Sequence, residues 1–199
     1  MFVIVGTGGH AKVVCSSLRA DDFQALVIRD DNVDLSRQVF MGASVQSPSL
    51  PLDMSGTKLH VAIGDNYIRE RLLLLGINRG ALAFSVLHPS SNVQNIESIA
   101  SGSFVGCGAV VAIDSYLGIG SIVNHNAVVD HDCSVGSFCH VAPGAVVGGN
   151  VRIGNRVLIG SGSTVLPNIT IEDDVIIGSG SVVTRSVSKG STWIGNKVV

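Results

Sequence analysis

Residues 122–147 read IVNHNAVVDHDCSVGSFCHVAPGAVV, and within this stretch every sixth residue from Val123 onward is aliphatic. The same step continues without interruption from Val93 to Val183, where all sixteen positions are Val, Ile or Leu. An α-helix and a plain amphipathic strand cannot hold this period on one face, because their side chains repeat every 3.6 and 2 residues. A hexad matches one short strand followed by a corner, so three hexads close one coil of a triangular prism. The sequence therefore predicts a parallel β-helix of slightly more than five coils around an aliphatic column.

Small residues and glycines flank this column. The residue two positions before the aliphatic one is usually small or aliphatic, as at Ser103, Ala109, Ser121, Ala127, Cys133, Ala145, Val151 and Val157. Glycine often follows the aliphatic residue, as at Gly106, Gly118, Gly136, Gly154, Gly160 and Gly178. We expect these glycines to form tight corners with backbone dihedrals that other residues disfavour.

Residues 1–88 follow a different pattern and predict a separate domain, which leaves residues 89–199 to the β-helix. Phe2–Val5 is a short apolar strand, and Lys12–Leu18 has helical character. Between them, residues 6–11 read GTGGHA and match G-x-G-x-x-[GA], a turn whose glycines let a ligand approach the backbone closely. The following helix N-terminus offers free N–H groups to a phosphate. The alternative reading is a tight turn without a ligand.

The rest of this domain predicts a Rossmann-like βαβ fold. Strands are expected at Ala25–Arg29, ending in Asp30-Asp31, and at Leu59–Ile63, ending in Gly64-Asp65. A helix is expected at Asn66–Leu75 and a last strand at Ala83–Leu87. A carboxylate at the end of the second strand commonly holds ribose hydroxyls. Because only one βαβ half is present, a mononucleotide or a nucleotide sugar fits this domain better than NAD.

His131 is the candidate general base of the β-helix. It sits at a corner position between Asp130 and Asp132, and a neighbouring carboxylate makes an imidazole more basic. Such a base removes a proton from an amine or hydroxyl as it attacks a thioester. His125 occupies the equivalent corner one hexad earlier and therefore lies one face away, so we expect no metal site within a chain. Cys133 and Cys139 start hexads at small core positions and are interpreted as packing residues.

Composition excludes several classes of function. The net charge of −2 leaves no basic footprint for nucleic acid, and no apolar run approaches the length of a membrane span. The N-terminus lacks a basic segment before its first glycine, so we expect no signal peptide. The four cysteines form no CxxC pair and indicate free thiols in a reducing cytoplasm.

Four features in this order together resemble the NeuD/PglD-like sugar O/N-acyltransferases. They are GTGGHAKVV at residues 6–14, the strand that ends in Asp30-Asp31, VAIGDN at residues 61–66 and VNHNAVVDHDCSVGSFCHVAPGAVVGGN at residues 123–150. The resemblance covers nearly the whole chain, and the HDC-x-[IV]-G segment is its most specific part. It implies a left-handed coil, a homotrimer with active sites in the clefts between neighbouring prisms, and acetyl-CoA as the co-substrate.

The resemblance also implies roles for individual residues of the β-helix. His131 is the general base, Asp132 raises its basicity, and Asn124 orients the attacking amine or hydroxyl. His140 contacts acetyl-CoA near its thioester end, and Ser161 and Ser179 line the groove for its pantetheine arm. The two serines have an alternative reading as plain turn residues.

In the N-terminal domain the resemblance implies a sugar-nucleotide site. Gly8, Gly9 and His10 contact the sugar nucleotide, and Asp30, Asp31 and Gly64 surround its base and ribose; the two aspartates have an alternative reading as a solvated strand end. One departure lies at the C-terminus, which reads WIGNKVV from residue 193 and lacks the GNPAK-like turn of many family members. The contacts at the adenine end of the cofactor therefore stay open, although Lys197 can meet its phosphates.

The sequence thus predicts an acetyl-CoA-dependent N-acetyltransferase. Its acceptor is the 4-amino group of a UDP- or GDP-linked 4-amino-4,6-dideoxyhexose used in surface-glycan or glycoprotein synthesis. The transfer is direct, with proton transfer to His131. One alternative is O-acetylation of sialic acid or another sugar, since the same histidine serves a hydroxyl acceptor. An alternative of another class is a non-catalytic trimeric scaffold that binds sugar nucleotides, against which the set Asn124, His131, Asp132 and His140 argues.

Overall fold

The computed structural model describes residues 1–18, 25–32, 34 and 38–199. Its N-terminal part is a six-stranded sheet in the order β3-β4-β2-β1-β5-β6, parallel except for the β3–β4 pair. The strands are β1 (Phe2–Val5), β2 (Leu26–Arg29), β3 (Val39–Phe40), β4 (Ala43–Gln46), β5 (Lys58–Val61) and β6 (Leu82–Ala83). Two helices, α1 (Gly9–Ser16) and α2 (Asn66–Asn78), pack on this sheet.

The predicted strands and helices of this domain are present with shifted ends. Helix α1 begins at Gly9 instead of Lys12, because the glycine turn itself enters the first helical turn. The single strand expected at Ala83–Leu87 is two strands, since β6 joins the N-terminal sheet whereas β7 (Val86–Leu87) pairs with the β-helix. The pair β3–β4 was not predicted, because β3 has only two residues and β4 only four, too few for a period of two to stand out in the sequence.

The remaining chain is a three-faced parallel β-helix, in which each strand pairs with the strand 18 residues further on, except that the last coil is shorter and β21 pairs with β23 after 16 residues. The domain face, named for the N-terminal domain packed on it, consists of β7, β9 (Phe104–Val105), β12 (Ile122–Val123), β15 (His140–Val141), β18 (Leu158–Ile159), β21 (Ile176–Ile177) and β23 (Thr192–Ile194). The valine face consists of β8 (Asn92–Val93), β10 (Val110–Val111), β13 (Val128–Val129), β16 (Val146–Val147), β19 (Thr164–Val165) and β22 (Val182–Val183). The polar face consists of β11 (Tyr116–Leu117), β14 (Ser134–Val135), β17 (Arg152–Ile153) and β20 (Thr170–Ile171).

The aliphatic column forms the core of this prism, as predicted. Fourteen of its sixteen side chains, from Val105 to Val183, are buried, and Val93 and Ile99 are partly buried against them. Fully burying one such side chain stabilises the fold by about 1.5–3 kcal/mol. At the C-terminal end Trp193 is fully buried on the column, and strand β24 (Lys197–Val198) folds back antiparallel on β23. The indole therefore closes the end of the prism.

The corners follow a backbone rule of their own. Every sixth residue adopts a left-handed conformation with φ between 52° and 75°, namely Gly102, Gly108, Asp114, Gly120, Asn126, Asp132, Phe138, Gly144, Asn150, Arg156, Gly162, Asn168, Asp174 and Gly180. The glycines that directly follow the column do not adopt it, so that expectation was wrong. They are needed for close approach of the coils instead, because a Cβ on Gly118 would lie 2.5 Å from the carbonyl carbon of Gly136.

The outward side chains distinguish the three faces. On the domain face, Phe104 and Ile122 are completely buried against the N-terminal domain. On the valine face, Val110, Val128, Val146 and Val182 point outward, and Val146 and Val182 are 39% and 44% exposed. On the polar face the corresponding residues are Tyr116, Ser134, Arg152 and Thr170. Among the residues that the structure describes, none covers the outward valines of the valine face.

Helix α2 fastens the N-terminal domain to the β-helix. Asn66 donates its side-chain amide to the carbonyls of Arg156 and Val157 at 3.0 and 3.2 Å. The Tyr67 hydroxyl donates to Asp174 at 3.0 Å, and the Arg156 guanidinium bridges the same carboxylate. Within the described ranges no helix has the length and apolarity needed to cross a membrane.

Candidate functional site

His131 and Asp132 form a hydrogen-bonded pair at the corner between the valine face and the polar face. The Nδ1 atom of His131 lies 2.7 Å from Oδ2 of Asp132, and both side chains are more than half exposed. The hydrogen bond to Asp132 raises the pKa of His131, and the charge of Asp130 raises it further. Because a carboxylate accepts, Nδ1 carries the proton, and the free lone pair of the neutral ring stands on Nε2. The pair thus has the geometry of an oriented general base.

Gly149 provides the space in which the His131 ring lies. It stands 18 residues after His131, so it occupies the same corner position one coil on. A Cβ on Gly149 would lie 2.7 Å from both Cε1 and Nε2 of the imidazole. Gly149 was not predicted as a site residue, although its place three hexads after His131 was a signal in the sequence.

Asn124 and His140 meet at the next edge of the prism, between the domain face and the valine face. Oδ1 of Asn124 accepts from the backbone N–H of His125 at 2.8 Å, so its Nδ2 amide is the group that lies 3.1 Å from Nε2 of His140. Nδ1 of His140 lies 3.4 Å from the carbonyl oxygen of Gly64. Since that carbonyl only accepts, the proton of His140 stands on Nδ1, and Nε2 accepts from Asn124.

Burial keeps His140 neutral. It lowers the pKa of His140 to about 4, and the nearby Arg69 guanidinium adds to the effect. At neutral pH the side chain is therefore an uncharged imidazole, with Nδ1 as a hydrogen-bond donor and Nε2 as an acceptor.

His10 lies beside His140 and contributes a nitrogen without a partner. Its ring centroid is 6.1 Å from that of His140, and its ring meets Phe104 edge-on at 5.3 Å. Burial, together with the neighbouring His140, lowers the pKa of His10 to about 3. The Nε2 atom of His10 is buried and has no hydrogen-bond partner in the described part of the chain. A buried nitrogen in this state is costly unless a ligand satisfies it.

The glycine turn and the end of β2 come together, as the sequence suggested. The hydroxyl of Thr7 donates to Oδ2 of Asp30 at 2.8 Å, a contact that sequence reasoning did not anticipate. Gly8 precedes α1 without a side-chain cap, and added Cβ atoms on Gly8 and Gly9 would meet no described residue within 4 Å. The carboxylate of Asp31 instead accepts a hydrogen bond from the backbone N–H of Ser49 at 2.8 Å, and this bond lowers the pKa of Asp31.

Ser161 and Ser179 lie on the same edge as Asn124. Both are exposed corner residues of later coils, and Gly180 donates its N–H to the carbonyl of Ser161 at 2.9 Å. The structure thus gathers His10, Asn124, His140 and the two serines along one edge. His131 and Asp132 stand on the next edge, roughly 15 Å away across a strand of the valine face. One chain alone does not bring Asn124 beside His131.

The two core cysteines are unsuited to nucleophilic catalysis. The thiols of Cys133 and Cys139 donate to the carbonyls of Gly148 and Gly154 at 3.1 and 2.9 Å. Burial raises the pKa of both thiols, that of Cys139 to about 12. Among the residues that the structure covers, no three His, Cys, Asp or Glu side chains are grouped so that they could hold a metal ion.

Two family models match the chain. The PglD N-terminal domain matches residues 1–73, and the bacterial transferase hexapeptide (six repeats) matches residues 150–185. No curated protein matches the sequence.

Solved structures match over the full chain. The acetyltransferase domain of PglB from Neisseria gonorrhoeae FA1090 is 31% identical with a TM-score of 0.89, covering 100% of this chain and 98% of that one. The same domain in complex with acetyl coenzyme A is 32% identical with a TM-score of 0.87, covering 100% and 97%. A histidine-to-alanine mutant of GDP-perosamine N-acetyltransferase from Caulobacter crescentus, in complex with CoA and GDP-perosamine, is 37% identical with a TM-score of 0.89, covering 100% and 96%. The predicted fold, a Rossmann-like domain followed by a left-handed β-helix, is confirmed.

Proposed function

Because the chain belongs to the NeuD/PglD-like family of acetyl-CoA-dependent sugar acetyltransferases, we propose that it acetylates the 4-amino group of a nucleotide-linked 4-amino-4,6-dideoxyhexose. The observation that carries the proposal is the His131–Asp132 pair, an exposed imidazole whose basicity a carboxylate raises. The relative that was solved with CoA and GDP-perosamine supports an amino sugar carried on a nucleotide, with GDP as the first choice.

The proposed reaction is a direct transfer between two bound substrates. The amine nitrogen attacks the thioester carbonyl carbon of acetyl-CoA, and the carbon–sulfur bond breaks to release the CoA thiolate. Nε2 of His131 takes the proton that the nitrogen loses, and Asp132 stabilises the resulting imidazolium through Nδ1. An acyl-cysteine intermediate is disfavoured because burial raises the pKa of both core thiols.

We assign the sugar nucleotide to the N-terminal domain. The uncapped N-terminus of α1 and the open space at Gly8 and Gly9 suit a phosphate, and the Thr7–Asp30 contact stands where a ribose is commonly bound. The unpartnered Nε2 of His10 is available to a polar group of the sugar. Asp31, engaged with Ser49, is a weaker candidate than Asp30.

We assign acetyl-CoA to the edge that carries Asn124. Its pantetheine arm would run along the corner that holds Ser161 and Ser179, with the thioester end beside His140. The reduced cysteines and the two proposed substrates suit a cytoplasmic enzyme.

We further propose a homotrimer in which the valine faces of three prisms turn toward a common axis. The exposed valines of this face form an apolar side of the prism that the described residues do not cover. Threefold packing of this kind sets the edge carrying His131 beside the edge of the neighbouring subunit that carries Asn124 and His140. The trimer would thus join two halves of a site that a single chain keeps apart.

The proposed activity is tested with acetyl-CoA and a panel of acceptors. We expect free CoA thiol to be released with GDP- or UDP-linked 4-amino sugars, GDP-perosamine among them, and mass spectrometry to find one added acetyl group on nitrogen. Sialic acid serves as the competing hydroxyl acceptor. Turnover with sialic acid and none with any amino sugar would replace the proposed acceptor, and no turnover at all would leave a binding scaffold.

The exchange Asp132→Asn is expected to shift the pH profile of kcat/KM. The profile should rise with pH, because His131 must be deprotonated to act as a base. Loss of the Asp132 hydrogen bond and charge lowers the pKa of His131, so the acid limb moves to lower pH. The plateau should fall by about tenfold because the imidazole is then a weaker base.

The matched control is Asp114→Asn, which alters an exposed aspartate at the same left-handed corner position one coil earlier. Its profile should coincide with that of the wild type. An acid limb that stays in place in the Asp132→Asn variant would mean that this carboxylate does not set the basicity of the catalytic group.

A further inference from the structure

Arg69 is a charged side chain in the interior of the molecule. It stands in helix α2, is 1% exposed and contacts only uncharged acceptors. Its six acceptors are the carbonyls of Ile63, Gly64, Gly120, Phe138 and Cys139 and the side-chain Oδ1 of Asn66, at 2.6 to 3.1 Å. Burial lowers the pKa of Arg69 to about 10, so the guanidinium stays charged at neutral pH. No carboxylate of the described chain pairs with it.

Packing of the two domains does not by itself explain why a charged guanidinium is buried between them. Apolar residues of similar volume often stabilise an interface as well as buried ions do. The outer end of the same contact already has the ion pair of Arg156 with Asp174, which the Tyr67 hydroxyl also contacts. The position of the Arg69 acceptors indicates what else the guanidinium does.

The guanidinium fixes the turn that ends β5 against the corners of the β-helix. Its Nη1 atom donates to the carbonyls of Ile63 and Gly64, at 2.9 and 3.0 Å. Its Nε and Nη2 atoms donate to corner carbonyls of two successive coils. The Gly64 oxygen, held in this way, is the atom that lies 3.4 Å from Nδ1 of His140.

We propose that Arg69 is a positioning residue for acyl transfer, because it holds the Gly64 carbonyl opposite His140 and so fixes that imidazole as the neutral form with its proton on Nδ1. The Nε2 lone pair is then directed to the Asn124 amide, which in turn sets the orientation of Asn124. The guanidinium charge also disfavours a positive charge on His140, as it does on His10. The proposal deepens the proposed function and rests on it for the link to catalysis.

The first test reads the protonation of the imidazole directly and requires no activity. In the wild-type protein labelled with ¹⁵N-histidine, the His140 ring should give the signature of a proton on Nδ1 and a bare Nε2 throughout neutral pH. His140→Gln identifies the signals. A proton on Nε2 would overturn the proposal, whether or not the protein transfers acetyl groups.

The second test separates positioning from stability. Arg69→Lys keeps a charge but cannot reach both the turn and the two coils, so kcat should fall by about ten- to a hundredfold. The KM for the sugar nucleotide should change less than kcat, because the glycine turn at residues 6–11 is untouched. The His140 signals should also become a mixture of the two neutral forms.

The matched control is Arg156→Gln, which removes an ion pair from the same interface without touching the Gly64 carbonyl. It should lower the unfolding temperature while kcat and the His140 signature stay at wild-type values. An Arg69→Lys enzyme with wild-type kcat and signature, or equal losses of kcat in both variants, would reduce Arg69 to a structural anchor. If Arg69→Lys does not fold, a wild-type spectrum with the His140 proton on Nε2 would still overturn the proposal.

Discussion

Replacing His131 with alanine is expected to lower kcat/KM for acetyl transfer by about 10²–10⁴-fold, the usual contribution of a general base. The side chain is more than half exposed and its ring lies in the space over Gly149, so its removal should leave the aliphatic core and the unfolding temperature nearly unchanged. The KM values should stay close to those of the wild type, since neither substrate is assigned to this imidazole in its ground state. Steady-state kinetics with both substrates and thermal unfolding measure these effects.

A variant that kept full activity would exclude His131 as the base. A variant that lost activity together with its stability would be uninformative about catalysis, and His131→Asn then serves as the closer replacement. The equivalent corner residue of the preceding coil, Ile113, is half exposed and provides the matched control Ile113→Ala. It should lose no activity.

Subunit mixing tests whether the base acts on the site of a neighbouring subunit. His131→Ala and Asn124→Ala should each form inactive trimers, because each removes a different half of the site. When the two are unfolded together and refolded as a mixture, roughly a quarter of the sites should combine an intact His131 with an intact Asn124 from the neighbour. The specific activity of the mixture should therefore return to about a quarter of the wild-type value. A mixture that stays inactive, although mass spectrometry detects mixed trimers, would place the whole site within one chain.

The period of six residues was sufficient to predict the prism, because it depends only on local geometry. It also assigned His131, Asp132 and the two serines to corners, since the column fixes which positions point inward. The period does not predict which face of the prism is covered by the N-terminal domain. That information lies in the outward residues, where Phe104 and Ile122 are buried on one face and valines are exposed on another.

The contacts between the domains could not be predicted from the sequence, because they join residues that are far apart in the chain. Arg69 reaches coil carbonyls 51 to 70 residues away, and nothing local distinguishes it from the exposed arginine two positions later, Arg71. Thr7 is similar, because its bond to Asp30 follows only from the parallel pairing of β1 with β2. The tautomer of His140 likewise depends on a carbonyl of the other domain.

The exchange Val146→Asp is expected to dissociate the trimer and to abolish activity at assay concentrations. Val146 points outward at the middle of the valine face and is 39% exposed in the single chain. In the proposed trimer three copies of the introduced carboxylate would meet near the axis without counter-ions, and an unpaired buried charge costs several kcal/mol. The core of each prism is unaltered, because Val147 and not Val146 belongs to the column. The variant should therefore remain a folded monomer.

Sedimentation equilibrium and circular dichroism measure assembly and fold separately. Thr170→Asp places the same charge at the matching outward position of the polar face and should remain trimeric and active. A Val146→Asp protein that stays trimeric would show that another face forms the interface.

The concentration dependence distinguishes this loss of activity from the loss in His131→Ala. A weakened trimer obeys mass action, so the specific activity of Val146→Asp should rise as the protein concentration is raised. The activity of His131→Ala should not depend on concentration, because its trimer is intact and its base is missing. If the monomeric variant kept wild-type activity at every concentration, the residues on the two edges would act without a neighbour, and the exposed valine face would need another explanation.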